Sequence, residues 1–175
     1  MPRLPGWFRP IFAITKALAG GLWVLGATAF FVMSLTTFLQ VVTRYVFNYP
    51  LPWTDELART LFVWIIMIGS AVAAWSRSHI AVTFFANKLP QAGRGTVAGI
   101  VVIISWAFYM LLLYEGLVFA ATNVSNVTSA LRISASVAMS SLAFGGLFMA
   151  LFVTVRAMAT LVAPEPQHAN ERRAP

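Results

Sequence analysis

Between Leu57 and Trp75 the chain carries one charged side chain, Arg59, and that economy limits what these residues can build more than any other feature. Trp53 and Trp75 bracket the run 22 positions apart, roughly 33 Å at helical rise and close to one hydrocarbon core. An apolar helix of that length with an aromatic side chain at each end reads as a membrane span. Three further runs repeat the pattern: Ala17 to Thr43 and Ile133 to Val155 have no charge, and Thr96 to Ala121 has only Glu115. With 59% hydrophobic and 10% charged residues and a mean hydropathy of +0.80, the chain lacks the polar surface that a soluble domain of this length needs. The reading is an all-α integral membrane protein of four transmembrane helices, with spans at about 17–42, 54–75, 96–121 and 133–155.

The connecting segments set the boundaries. Asn48-Tyr49-Pro50-Leu51-Pro52 cannot lie inside a helix, because each proline removes a backbone donor and pushes its predecessor toward extended geometry. After that turn, Thr54 is expected to cap the second span, with Asp55 and Glu56 placing negative charge at its positive end. Residues 1–16, with Arg3, Arg9, Lys16 and three prolines, read as a cytoplasmic leader lying along the interface. The run behind this leader is too long for a signal-peptide core and ends without a small-x-small site, so no cleavage is expected. Between spans two and three, His79 to Leu89 reads as a short amphipathic interfacial segment stopped by Pro90, with a solvated loop as the simpler alternative. Residues 122–132 form a polar connection suited to turns, residues 17–156 form the membrane domain, and the Pro-rich tail 157–175 is expected to be disordered.

Counting basic residues beside the spans gives the orientation. Arg3, Arg9, Lys16, Arg77, Lys88, Arg94, Arg156, Arg172 and Arg173 lie on one side, against Arg44, Arg59 and Arg132 on the other. This predicts both termini in the cytoplasm. The net charge of +7 is spread singly between apolar runs, which argues against a nucleic-acid partner.

No catalytic or metal-ligating constellation stands out. There are two histidines and no cysteine, too few ligands for a metal centre or a bis-histidine haem, and no phosphate loop or nucleophile elbow. An enzyme is not expected, nor is a cofactor. The residues singled out are charges and small side chains. Arg44, Trp53, Asp55, Glu56 and Arg59 cluster at the outer turn, where Arg59 follows Asp55 by four positions and Glu56 by three, so that one helix face can neutralise it. Such a cluster can fix the turn or meet a partner protein. Glu115 lies past the midplane toward the outer face, where it can pair with Arg132 or Arg44, reach water, or couple to an ion. His79 is expected as an interfacial or capping residue of the structural or partner-contact set, in preference to a ligand or a pH switch. Gly69, Ser141 and Gly145 are expected at helix contacts, Ser141 and Gly145 being spaced as small-xxx-small.

An ordered set of short motifs adds a resemblance. Arg44-Tyr45-Val46-Phe47-Asn48, Pro50-Leu51, Trp53, Asp55-Glu56-Leu57-Ala58-Arg59, Phe62-Val63-Trp64, Gly69-Ser70-Ala71, and Arg77 with His79-Ile80-Ala81-Val82 resemble the signature of the DctQ-like small membrane subunit of tripartite ATP-independent periplasmic (TRAP) transporters. The family carries an acidic residue shortly after that last motif, where this chain has Thr83. The resemblance implies a multi-pass protein of the bacterial inner membrane that scaffolds a large multispan subunit. That subunit would take up a small organic acid with sodium, delivered by a periplasmic substrate-binding protein. Two other classes fit four spans: an autonomous exporter working as a homodimer, for which Glu115 is the candidate intramembrane carboxylate, and the membrane anchor of a redox complex.

Overall fold

Pro10 suits a first helical turn, because its missing N–H has no partner to lose there and its φ is already helical. The first helix, α1, runs from Arg9 to Tyr45 with proline in its opening turn. The computed structural model describes residues 5–6, 8–77 and 91–162, with side chains described for 5–6, 8–76 and 99–159. Three more helices follow: α2 (Pro52–Arg77), α3 (Gln91–Thr122) and α4 (Ser136–Val162). Each contains a stretch long and apolar enough to cross a membrane. Among the described residues the only strand-type pairing is an isolated antiparallel bridge between Val127 and Ser134.

Residues 9–16, expected in the leader, are continuous with the first span, and residues 157–162, expected in the disordered tail, continue the last helix. The expected interfacial segment from His79 to Leu89, the tail beyond Val162 and residues 1–4 lie outside the described residues. Between α1 and α2 the chain reverses through Asn48, whose φ of 50° lies in the left-handed region that asparagine tolerates better than most residues. The Tyr49 amide donates to the Thr43 carbonyl at 3.0 Å, which folds the turn back against the end of α1.

The expected cap is not where the sequence placed it. Pro52 takes the first helical position, so Thr54 is already inside α2. Its hydroxyl donates to the Leu51 carbonyl at 2.6 Å, and the residue is fully buried. Proline wins the first position because it loses no hydrogen bond there.

Packing runs α1 on α2, α2 on α4 and α4 on α3, with α1 touching α4 lightly. Ala19 and Leu22 of α1, Ile68 and Ala71 of α2, and Met149 and Phe152 of α4 form one apolar cluster, with Tyr109 and Leu112 of α3 at its edge. The centre is α4, whose most apolar stretch is 44% buried against 11%, 11% and 6% for the other three. Small residues give α4 that place. A Cβ on Gly116 of α3 would stand 2.8 Å from Ala143 Cα and 2.9 Å from the Leu142 carbonyl carbon. One on Gly146 would stand 2.7 Å from the Leu113 nitrogen and 2.8 Å from the Tyr109 oxygen. Backbone therefore meets backbone at the α3–α4 crossing, which only glycine permits at this separation. On another side of α4, Gly145 approaches Met67 of α2, with 3.0 Å from a built Cβ to its side chain.

Side chains also tie α2 to α4 along its length. The Trp64 indole nitrogen donates to the Val137 carbonyl at 2.9 Å. Toward the opposite end, Arg156 Nε donates to the Trp75 carbonyl at 2.9 Å, and its guanidinium sits 4.8 Å from the Trp75 ring centroid. That bond satisfies a carbonyl in the last turn of α2, where a cation also complements the helix dipole. Trp75 in turn packs against Phe12 and Phe152, at centroid distances of 5.2 and 5.6 Å.

Candidate functional site

The charged turn at the start of α2 is braced mainly by one carboxylate. Glu56 Oε1 accepts the Ala130 amide at 3.0 Å, and Oε2 accepts the amides of Ala130 and Leu131 at 3.1 and 2.8 Å. Consecutive amides aimed at one anion form a backbone nest, and bonds to an ionised acceptor are shorter and stronger than neutral ones. The α3–α4 connection is shaped to present them. Ala135 donates to the Asn126 carbonyl at 2.7 Å and Thr128 to the Ile133 carbonyl at 2.9 Å. Arg132, with φ 55°, turns the tip back so that its amide reaches the Thr128 carbonyl at 3.2 Å.

Asp55 is committed elsewhere. Its Oδ1 accepts from the Gln40 side-chain amide at 2.6 Å, joining the end of α1 to the start of α2 across the proline turn. The expected neutralisation of Arg59 by Asp55 and Glu56 is therefore not formed. Both carboxylates point to partners on other segments, and among the described residues Arg59 has no hydrogen bond or ion pair. Arg44 lies over the ring of its neighbour Tyr45 at 6.0 Å and does not complete a network. Trp53 is 37% exposed at the first turn of α2.

The remaining sequence candidates divide. Ser141 is fully buried in α4, its hydroxyl donating to the Ala138 carbonyl at 2.6 Å, and Gly145 sits at the α2 contact already described. Gly69 has nothing within 4 Å of a built Cβ, so its face takes no part in packing within this chain. Glu115 is half-buried on α3, and among the described residues it pairs with neither Arg132 nor Arg44. His79 lies outside the described residues.

Sequence reasoning missed Gln40, Gly116 and the amide nest at 130–131. A polar amide near the end of an otherwise apolar helix was a signal for the first, and a glycine between bulky residues beside Glu115 was one for the second. The nest left no signal, since backbone amides have no residue signature. Among the described residues no three His, Cys, Asp or Glu side chains gather as a metal group. What this arrangement does is hold two connections of the bundle in register with the start of α2.

The profile of the DctQ component of tripartite ATP-independent periplasmic transporters matches residues 33–163, from within α1 to the end of α4. The chain belongs to the DctQ family. Over 113 residues it is 36% identical to the sialic acid TRAP transporter small permease protein SiaQ of Vibrio cholerae, covering 63% of this chain and 64% of that protein. Over 109 residues it is 31% identical to the C4-dicarboxylate TRAP transporter small permease protein DctQ of the same organism, covering 61% and 45%. Seventy residues are 37% identical to the sialic acid TRAP transporter permease protein SiaT of Haemophilus influenzae, covering 40% of this chain and 11% of that protein. The matched parts thus span less than two thirds of each relative. The DctQ match contains the whole Glu56 brace, from Gln40 and Asp55 to Leu131. This DctQ-family chain is a multi-pass membrane protein, and its relatives are named as permease proteins rather than enzymes.

Proposed function

We propose that this chain is the small permease subunit of a TRAP transporter in a bacterial inner membrane, where it acts as a fixed scaffold for a large multispan permease subunit. The observation that carries this reading is the construction of α2. It is tied to the α3–α4 loop by Glu56, to α4 by Trp64 and Arg156, and to α1 by Asp55 and Gln40. A helix held at both ends suits a static support and would resist the rigid-body movements that carry substrate across a membrane. The SiaT relative supports the choice of partner: a stretch similar to this chain makes up a small part of a much longer protein that is itself named a permease.

Both termini face the cytoplasm in this reading, which puts the Glu56 brace and Arg59 on the periplasmic side. A periplasmic substrate-binding protein would dock above that face, and the large subunit would move a small organic anion inward with sodium. The named substrates of the relatives, sialic acid and C4-dicarboxylates, define the class to try first.

Uptake of labelled sialic acids and C4-dicarboxylates by cells with and without this gene tests the reading. One of these substrates is expected to enter only when the gene and a sodium gradient are both present. Equal uptake of every substrate by the deleted strain, with no dependence on sodium, would overturn it.

A further inference from the structure

The exposed surface of α2 is confined to a single narrow line. From Thr54 to Trp75 every residue is buried or half-buried except Asp55 and the series Arg59, Phe62, Ile66, Gly69 and Ala73, and Ser76 extends the same line. The steps are four, three, four, three, four and three, a repeat of about 3.5 residues, which is the spacing at which one helix seats a second along a left-handed seam. The line is also long enough to matter, since Asp55 to Ser76 spans about 32 Å at helical rise, the depth of a hydrocarbon core.

Its chemistry does not suit lipid. α1 exposes the bulky Phe30, Phe31 and Phe38 in its outer half, the small Gly20 and Gly21 further in and charges only toward its ends, at Arg9, Lys16 and Arg44, while α3 exposes Ile103, Ile104 and Leu111. The α2 line has small residues in its inner half, and a built Cβ on Gly69 meets nothing within 4 Å, as at Gly20 and Gly21 of α1. In its outer half it carries Arg59, about 10 Å inside the helix, with no acceptor among the described residues. A guanidinium at that depth is costly unless an acceptor faces it. Small residues four apart offer a backbone-close seat that this chain leaves empty.

We infer that this line is the seam on which one transmembrane helix of the large permease docks, with a carboxylate or free carbonyl opposite Arg59 and its closest approach at Gly69 and Ala73. The inference rests on the proposed assembly with that subunit. A second copy of this chain fits the seam poorly. Two identical chains share one orientation in the membrane, so self-pairing along the line would bring Arg59 against Arg59.

The native chain has no cysteine, so single cysteines with a photoactivatable maleimide can map its neighbours in native membranes. Ile66→Cys and Ala73→Cys on the line are expected to crosslink to peptides of one helix of a multispan permease, while Phe31→Cys on α1 and Ile103→Cys on α3 label lipid. Crosslinks to that permease from α1 or α3 and not from α2 would overturn the seam while leaving the assembly intact. Crosslinks from α2 to a second copy would overturn the seam, as would lipid labelling alone from α2. A permease crosslink from none of the four positions would overturn the seam, and failure of any permease to co-purify with this chain in mild detergent would remove the assembly as well. Gly69→Leu supplies an independent readout, because the open space around Gly69 leaves this chain's own fold untouched. Recovery of the isolated variant should equal wild type, while its affinity for the permease falls roughly tenfold or more. Unchanged affinity would overturn the seam.

Discussion

Gly116→Val is expected to prevent α3 from seating on α4 and to leave little monodisperse protein in detergent. The added carbons would have to occupy the space of the Ala143 and Leu142 backbone, 2.8 and 2.9 Å from the first of them. Backbone cannot rotate away as a side-chain tip can, so the two helices must separate and lose the packing around Gly146 as well. Overpacking commonly costs about 1–3 kcal/mol, and a clash with main chain on a helix pair belongs at or above the top of that range. Fluorescence-detected size exclusion with a thermal ramp reads the effect. Gly20→Ala is the control, since a built Cβ there meets nothing within 4 Å, and it should behave as wild type. A Gly116→Val protein as stable as that control would contradict the close crossing.

Glu56→Gln should release the α3–α4 connection while leaving the helices in place. The neutral amide keeps one acceptor oxygen but loses the charge that draws the Ala130 and Leu131 amides together, and its –NH2 would face their N–H groups. Two readouts follow. Hydrogen exchange at Ala130 and Leu131 should speed up, and trypsin should cut faster after the exposed Arg132. Asp55→Asn, which acts on the Gln40 contact at the other connection, should leave both readouts near wild type. Unchanged exchange and cleavage in Glu56→Gln would show that the loop holds its shape without the carboxylate.

The number and type of elements were legible because lipid imposes a simple rule: an apolar run of sufficient length, almost without charge, spans as a helix. The proline turn after Asn48 was legible for an equally local reason, the missing donors of Pro50 and Pro52. The site was only partly so. Spacing along one helix suggested that Asp55 and Glu56 serve Arg59, yet Glu56 serves amides 74 and 75 positions away. Periodicity carries no information about such distant backbone groups. Thr54 was misassigned because Ser and Thr caps and a proline at the first helical position compete for the same few residues, and proline prevailed. Small residues were recognised as packing positions in general, but which helix each one meets depends on the order α1, α2, α4, α3, which the chain does not spell out. Gly145 meets α2 and Gly146 meets α3, one position apart.

The most direct measurement is the composition of the complex that this chain forms in its own membranes. Extracted in mild detergent and purified through a tag on this chain, it should carry one large multispan permease in equal amount, identified by peptide mass spectrometry, with the pair migrating as one species. Recovery of the chain alone, or of copies of itself with no permease, would contradict the scaffold account.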